Sequence, residues 1–239
     1  RVAADPLVTP MYGPQALDMI SPDLLETVAA DARERGARIH MHVAQGEREA
    51  IQIEERYGAD ETTVSALDEL GLLGPELVAA HCHGTTGPER ERLVEAGANM
   101  VGCPSSIAAI DGIVPPMADY RARGGTVGLG TDQAPGPGHH EMLRETRTAA
   151  VLSKTDAADP TAMPSWAALA LATVGGARAL GIDDRVGTPE TGTAADLITV
   201  DLTAPATAPA AEPPVHTAIP NLVPAATCRE ARDVFAACV

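Results

Sequence analysis

Aromatic side chains are nearly absent: they make up 2% of the 239 residues, with one Trp, one Phe and three Tyr. A core must therefore be filled by Val, Leu, Ile and Ala. Positive charge is also scarce. Lys and Arg number 17 against 33 Asp and Glu, a formal net charge of −16. A surface this acidic repels phosphate backbones and anionic lipid, which argues against nucleic acid and membrane as partners. No run reaches the roughly 18–20 apolar residues of a membrane span. The opening Arg1-Val-Ala-Ala-Asp-Pro does not read as a signal peptide. The four cysteines, Cys82, Cys103, Cys228 and Cys238, form no C-x-x-C pair. Two of them lie in or beside strand-like runs, so buried free thiols in a reducing cytoplasm are expected. No G-x-G-x-x-G or G-x-x-x-x-G-K-[ST] follows a strand-like run, which weakens a nucleotide-binding sheet.

What is present is a rhythm. Ser21-Pro22 is an N-cap with a first-turn proline, and the helix it opens runs to Arg35 and stops at Gly36. A strand follows at 38–44, helices at 47–57 and about 61–70, and a strand at 77–81. A helix opened by Gly87-Pro88 ends at Gly97, and strands are expected at 99–103 and 126–130 with a helix near 116–123 between them. Strands alternating with glycine-stopped helices imply parallel pairing with helical crossovers. A barrel and an open doubly wound sheet both satisfy this pattern. Helices are expected at 141–154 and 165–180, then a strand within 192–202. The stretch 203–226, with many prolines and alanines, reads as an irregular connection, and 230–239 as a short helix.

The chemistry-bearing residues cluster where strands end. In Ile39-His40-Met41-His42-Val43, alternation puts both histidines on one face. His81 ends the next strand, and Asp132 follows the strand of Thr126–Gly130. Taken singly, a strand-end His is a hydrogen-bonded structural residue and a strand-end Asp is a turn cap. Three together at successive strand ends favour ligation of a Zn²⁺-like ion that keeps a water, because imidazole and carboxylate suit it. His83, His139 and His140 are weaker signals, and the last two read equally as a solvated helix start.

The segments HMHVAQGERE, LVAAHCHGTT, GANMVGCPSSIAAIDGIVPP and GLGTDQAPGPGHHEMLRETRTAAVLSK resemble the metal-dependent amidohydrolase superfamily. The similarity is greatest to the branch of cytosine, guanine and S-adenosylhomocysteine/methylthioadenosine deaminases and s-triazine chlorohydrolases. GARALGIDDRVGTPETGTAADLITVDL resembles that family's passage from barrel to small β-sandwich. The resemblance implies an α/β chain forming part of a (β/α)8 barrel over 1–182, with 183–239 a β-sandwich remnant and an irregular tail. It implies one divalent metal, Zn²⁺ before Fe²⁺, and a small heterocyclic substrate. Homo-oligomer formation stays open. By this resemblance His42 is a metal ligand, His81 contacts the water or substrate, and Asp132 is ligand and proton acceptor. The activity implied is hydrolysis of C–N bonds in cyclic or heteroaromatic amines.

Several positions depart from the family pattern. A first-strand H-x-H pair is lacking, so His42 and Asp132 make a two-ligand set. The chain is therefore expected to be the later part of a longer protein and inactive alone. Gln45 stands where a proton-shuttling Glu is usual, and an amide is no acid. Either Glu47 or His83 substitutes, or the leaving group is one such as chloride or an alkylamine. A non-catalytic remnant that binds a partner chain is the remaining alternative. Gln15, in Gly-Pro-Gln, replaces a usual histidine. Gln15, His83, Ser105 and His139 are expected to touch substrate, although a serine pair after proline is also ordinary turn chemistry. The closing CREARDVFAACV lacks the usual β-rich end.

Overall fold

A computed structural model describes residues 8–133, 138–209 and 217–236. The expectations for the first six residues, for part of the loop after Asp132, for part of the Pro/Ala-rich stretch and for Cys238 lie outside the described residues. The chain divides into two compact units. The first is Arg1–Met100 with Arg123–Thr126, and the second is Val101–Ala122 with Val127–Val239. The strand Asn99–Gly102 begins in one and ends in the other.

In the first unit, helix α1 (Pro22–Arg35) is capped as its sequence dictates. Ser21 Oγ accepts from Leu24 N at 3.3 Å, and Gly36 closes the helix at φ 60°. Its buried face is Leu25, Ala29 and Ala32. Strand β1 (Ile39–Val43) follows, with Ile39, Met41 and Val43 buried and His40 and His42 on the other face. Helices α2 (Glu47–Tyr57) and α3 (Thr63–Glu69) lead to β2 (Leu77–His81), which is buried throughout. β1 and β2 pair in parallel, from Ile39 opposite Leu77 to Val43 opposite His81. Capping boxes at Thr62/Ser65 and Thr86/Glu89 start α3 and α4 (Gly87–Glu95). Asn99, at the head of β3 (Asn99–Gly102), donates to Pro75 O at 2.8 Å and Leu77 O at 3.2 Å. Upstream of α1 the backbone at Tyr12 and Ala16 makes isolated parallel bridges to Ile39 and His42.

The second unit holds helices α5 (Pro104–Ile110) and α6 (Met117–Ala122), strand β4 (Val127–Leu129) and helix α7 (Met142–Asp156). The strands follow the order β1-β2-β3-β4, which is the chain order. The helix expected at 165–180 is three pieces: α8 (Ser165–Ala170), a π-helical turn (Leu171–Gly175) and α9 (Gly176–Leu180). Close approach explains the glycines there. A Cβ on Gly175 would stand 2.3 Å from Val127 O, so only glycine lets the turn lie against β4.

The C-terminal region corrects two expectations. Helix α10 (Ala218–Ala225) occupies part of the stretch expected to be irregular, despite Pro224 inside it. Apolar burial, with Val223 2% exposed, outweighs the lost backbone bond. The segment expected as a short C-terminal helix is strand β6 (Ala231–Phe235), antiparallel to β5 (Leu197–Val200). Thr199 Oγ1 donates to Asp233 Oδ2 at 2.7 Å, and pairing with a distant strand overrides local helix propensity. A β-forming end is therefore present after all. The serine pair is likewise helical: Ser105 and Ser106 sit in the first turn of α5 rather than in a free turn.

Candidate metal centre

Each strand that carries a candidate residue ends in a strained backbone. Ala44, His81, Cys82 and Asp132 all take positive φ, at 49°, 74°, 53° and 59°. Non-glycine residues there cost on the order of 1–3 kcal/mol each, and such strain gathers at functional sites.

In the first unit, the segment before α1 fixes His42. Its backbone N donates to Gln15 O at 3.1 Å, and its ring Nδ1 lies 2.6 Å from the same oxygen. A carbonyl only accepts, so Nδ1 carries the proton and Nε2 keeps its lone pair. This is the arrangement of a metal-binding imidazole oriented from behind. The His81 ring stacks on His42, with centroids 5.1 Å apart and planes 14° apart. His83 is tilted 58° against His81 at 6.2 Å. His81 is 3% exposed. His40, on the same face as His42, has its pKa lowered by burial and then by the neighbouring His42. Gln15 therefore contributes its carbonyl to the site, and its side chain is exposed.

Beyond His42 the chain reverses. Gly84 N donates to Ala44 O at 2.7 Å, and a Cβ on Gly84 would fall 2.9 Å from that oxygen. Glu49, on α2, reaches back into this reversal. Its Oε2 accepts from Gln45 N at 2.7 Å, and its Oε1 from Ala44 N at 3.1 Å and from Thr63 Oγ1 at 2.6 Å. Glu49 is 1% exposed, whereas Glu47, the acid expected to substitute for the shuttle, is exposed.

In the second unit, Asp132 follows β4. Ser106 Oγ donates to its Oδ2 at 2.6 Å, and Gln133 N donates to its Oδ1 at 2.7 Å. Ser106 is fully buried on α5. Ser105 is anchored to α7 through a 3.1 Å hydroxyl contact with Thr148, and its N–H donates to Glu145 Oε2 at 3.2 Å. His139 accepts at Nδ1 from Glu141 N at 3.3 Å, so its proton sits on Nε2, 3.6 Å from Glu145 Oε1. His140 Nδ1 lies 2.9 Å from Thr131 Oγ1. The Cys103 thiol is pushed up to about 12 by burial, then by the charges of Asp132 and Glu145.

Glu49, Ser106 and Glu145 were not among the candidates read from sequence. For Glu49 the available signal was its spacing four residues after Gln45, at the start of a helix, where a carboxylate can fold back on the preceding turn.

Residues 1–230 match the model of the amidohydrolase family. A 5-methylthioadenosine/S-adenosylhomocysteine deaminase of Moorella thermoacetica is 39% identical over 203 residues, covering 85% of this chain and 47% of that protein. A 5'-deoxyadenosine deaminase of Methanosarcina mazei is 37% identical over 214 residues, covering 90% of this chain and 49% of that protein. A crystal structure of an adenosine deaminase from Xanthomonas campestris with bound zinc superposes with a TM-score of 0.91 at 32% identity, covering 98% of this chain and 52% of that one. The chain thus spans about half the length of the curated relatives it matches. Its α/β fold is part of the barrel that the sequence implied.

Proposed function

The chain belongs to the amidohydrolase family, and on that premise we propose that it serves a metal-dependent hydrolase of C–N bonds in cyclic or heteroaromatic amines, with a purine-type nucleoside amine as the favoured substrate. The deaminases named above support the substrate class. The observation that carries the metal reading is the fixed tautomer of His42, whose proton is committed to Gln15 O and whose Nε2 is left to ligate. By the family resemblance His42 and Asp132 would hold one divalent cation, Zn²⁺ before Fe²⁺, and His81 would contact the water or substrate. An imidazole nitrogen and a carboxylate oxygen suit such an ion.

When bound, a cation of this kind lowers the pKa of a water towards about 7. Asp132 would accept a proton from the attacking water, with Ser106 and Gln133 N–H keeping its carboxylate in one orientation. His81, buried and stacked on His42, steadies the negative charge that develops on the substrate. Gln45 can hold a ring nitrogen or leaving group by hydrogen bonds but supplies no acid proton. By the family resemblance His83, Ser105 and His139 would contact the substrate, while Gln15 acts through its carbonyl on His42. The protein works in the cytoplasm, where buried thiols stay reduced; among the described residues no helix is long and apolar enough to cross a membrane.

Gln45 also favours a second reading, in which the departing group is a halide that needs no protonation. One screen separates the two: aminated and chlorinated heterocycles are offered to the full-length protein that contains this chain, since the chain spans about half the length of its relatives, while ammonia and chloride release are followed. About one metal per chain and ammonia release are expected, both lost in Asp132→Ala. Turnover by a protein that elemental analysis finds free of metal overturns the reading.

A further inference from the structure

The structure assigns Glu49 as the positioning residue of this site: a buried carboxylate that clamps the Ala44-Gln45 turn and so fixes where Gln45 is presented. The role for Gln45 rests on the function proposed above; the clamp itself does not.

The argument begins with cost. A carboxylate shut away from water is penalised unless donors surround it. Glu49 meets three: two consecutive backbone N–H groups at the end of β1 and the Thr63 hydroxyl of α3. Burial raises its pKa, and the same three partners pull it back. Two of those donors belong to a turn that is strained at Ala44, where φ is 49°. A strained turn relaxes unless something holds it, and the N–H groups of Ala44 and Gln45 point at one bidentate acceptor. The residue so held lies three positions beyond His42. Every anchor of the clamp belongs to the first unit. Glu49 touches neither His42 nor Gln45's side chain in any contact described, so it acts through the backbone.

Amide hydrogen exchange on the protein without substrate tests the clamp. In Glu49→Gln an amide NH₂ replaces one acceptor, and the N–H groups of Ala44 and Gln45 should exchange at least tenfold faster. Those of Val78, Ala79 and Ala80 in the neighbouring strand should keep their rates. Thr63→Val leaves the carboxylate in place but removes one anchor, and the same pattern is expected at about threefold. Unchanged exchange at Ala44 and Gln45, or equal acceleration across β1 and β2, overturns the assignment. In the full-length protein, with a heteroaromatic amine that it hydrolyses, Glu49→Gln should lower kcat about tenfold with KM little changed. It should add nothing in a Gln45→Ala background, and additivity there removes the positioning role. A full-length protein that turns over nothing defeats the proposed function while exchange still decides the clamp.

Discussion

Glu49 in the first unit and Glu145 in the second occupy the same kind of place. Each lies on a helix, each is shut off from solvent, and each accepts a backbone N–H from the turn after a strand. Their surroundings differ. Both oxygens of Glu49 are engaged by three donors. Glu145 Oε2 accepts from Ser105, but Oε1 has no hydrogen-bond partner among the described residues and faces His139 at 3.6 Å. Burial raises both carboxyl pKa values as the leading cause. One buried acid is thus a satisfied structural clamp. The other keeps an oxygen in reserve beside a candidate substrate-binding histidine. The two buried acids thus differ in how fully their oxygens are satisfied.

The largest test removes both charges. Glu49→Leu leaves two backbone N–H groups and a hydroxyl without an acceptor. At about 1–3 kcal/mol for each buried orphan, partly relieved by relaxation, the loss of unfolding free energy should be about 3–5 kcal/mol. Glu145→Leu strands one N–H and removes a poorly solvated charge, so about 1–2 kcal/mol is expected. Urea unfolding of the two variants beside the parent gives the comparison. Equal losses would erase the distinction between the units.

A smaller effect appears in the pH dependence. A carboxyl whose folded pKa is raised contributes stability that is fully present below its unfolded pKa and lost as pH rises through the folded value. Glu145 is such a group, with burial raising it and the Ser105 contacts lowering it. Glu145→Gln keeps an acceptor for Ser105 N–H and does not titrate. The parent should therefore lose stability relative to Glu145→Gln as pH rises through the usual carboxylate range and above it, then run parallel to it. Thermal unfolding at a series of pH values measures this. A parent that gains on the variant as pH rises would mean that burial does not govern this carboxyl.

These contrasts also show where the sequence is legible. His42, His81 and Asp132 can be read because a period of two fixes the face of each strand and a glycine or turn fixes its end. Helix α1 is readable to the residue from Ser21 and Gly36, since caps are local chemistry. Glu49, Ser106 and Glu145 are not readable in that way. Each is a polar residue on a helix, and whether it faces solvent or a buried N–H depends on which turn packs against it. Strand β6 fails for a related reason. Its residues favour a helix, and only pairing with β5 across a long loop makes them a strand. Local rules placed what is local, and tertiary contact decided the rest.

The smallest expected effect asks whether the two units shield their thiols alike. Cys82 in the first is pushed up to about 12, by burial first and the charge of Glu49 second. Cys103 in the second is pushed up to about 12 by burial, then by Asp132 and Glu145. Cys228 is exposed. The thiolate is the nucleophile, so at pH 8 iodoacetamide should modify Cys228 within minutes. Cys82 and Cys103 should react only as the protein opens, read by peptide mass spectrometry over time. Glu145→Gln removes one of the charges at Cys103 but leaves its burial, so labelling there should stay slow. Cys103 reacting well before Cys82 in the parent would show that the second unit opens first, and would place the less satisfied carboxylate in the less stable half of the chain.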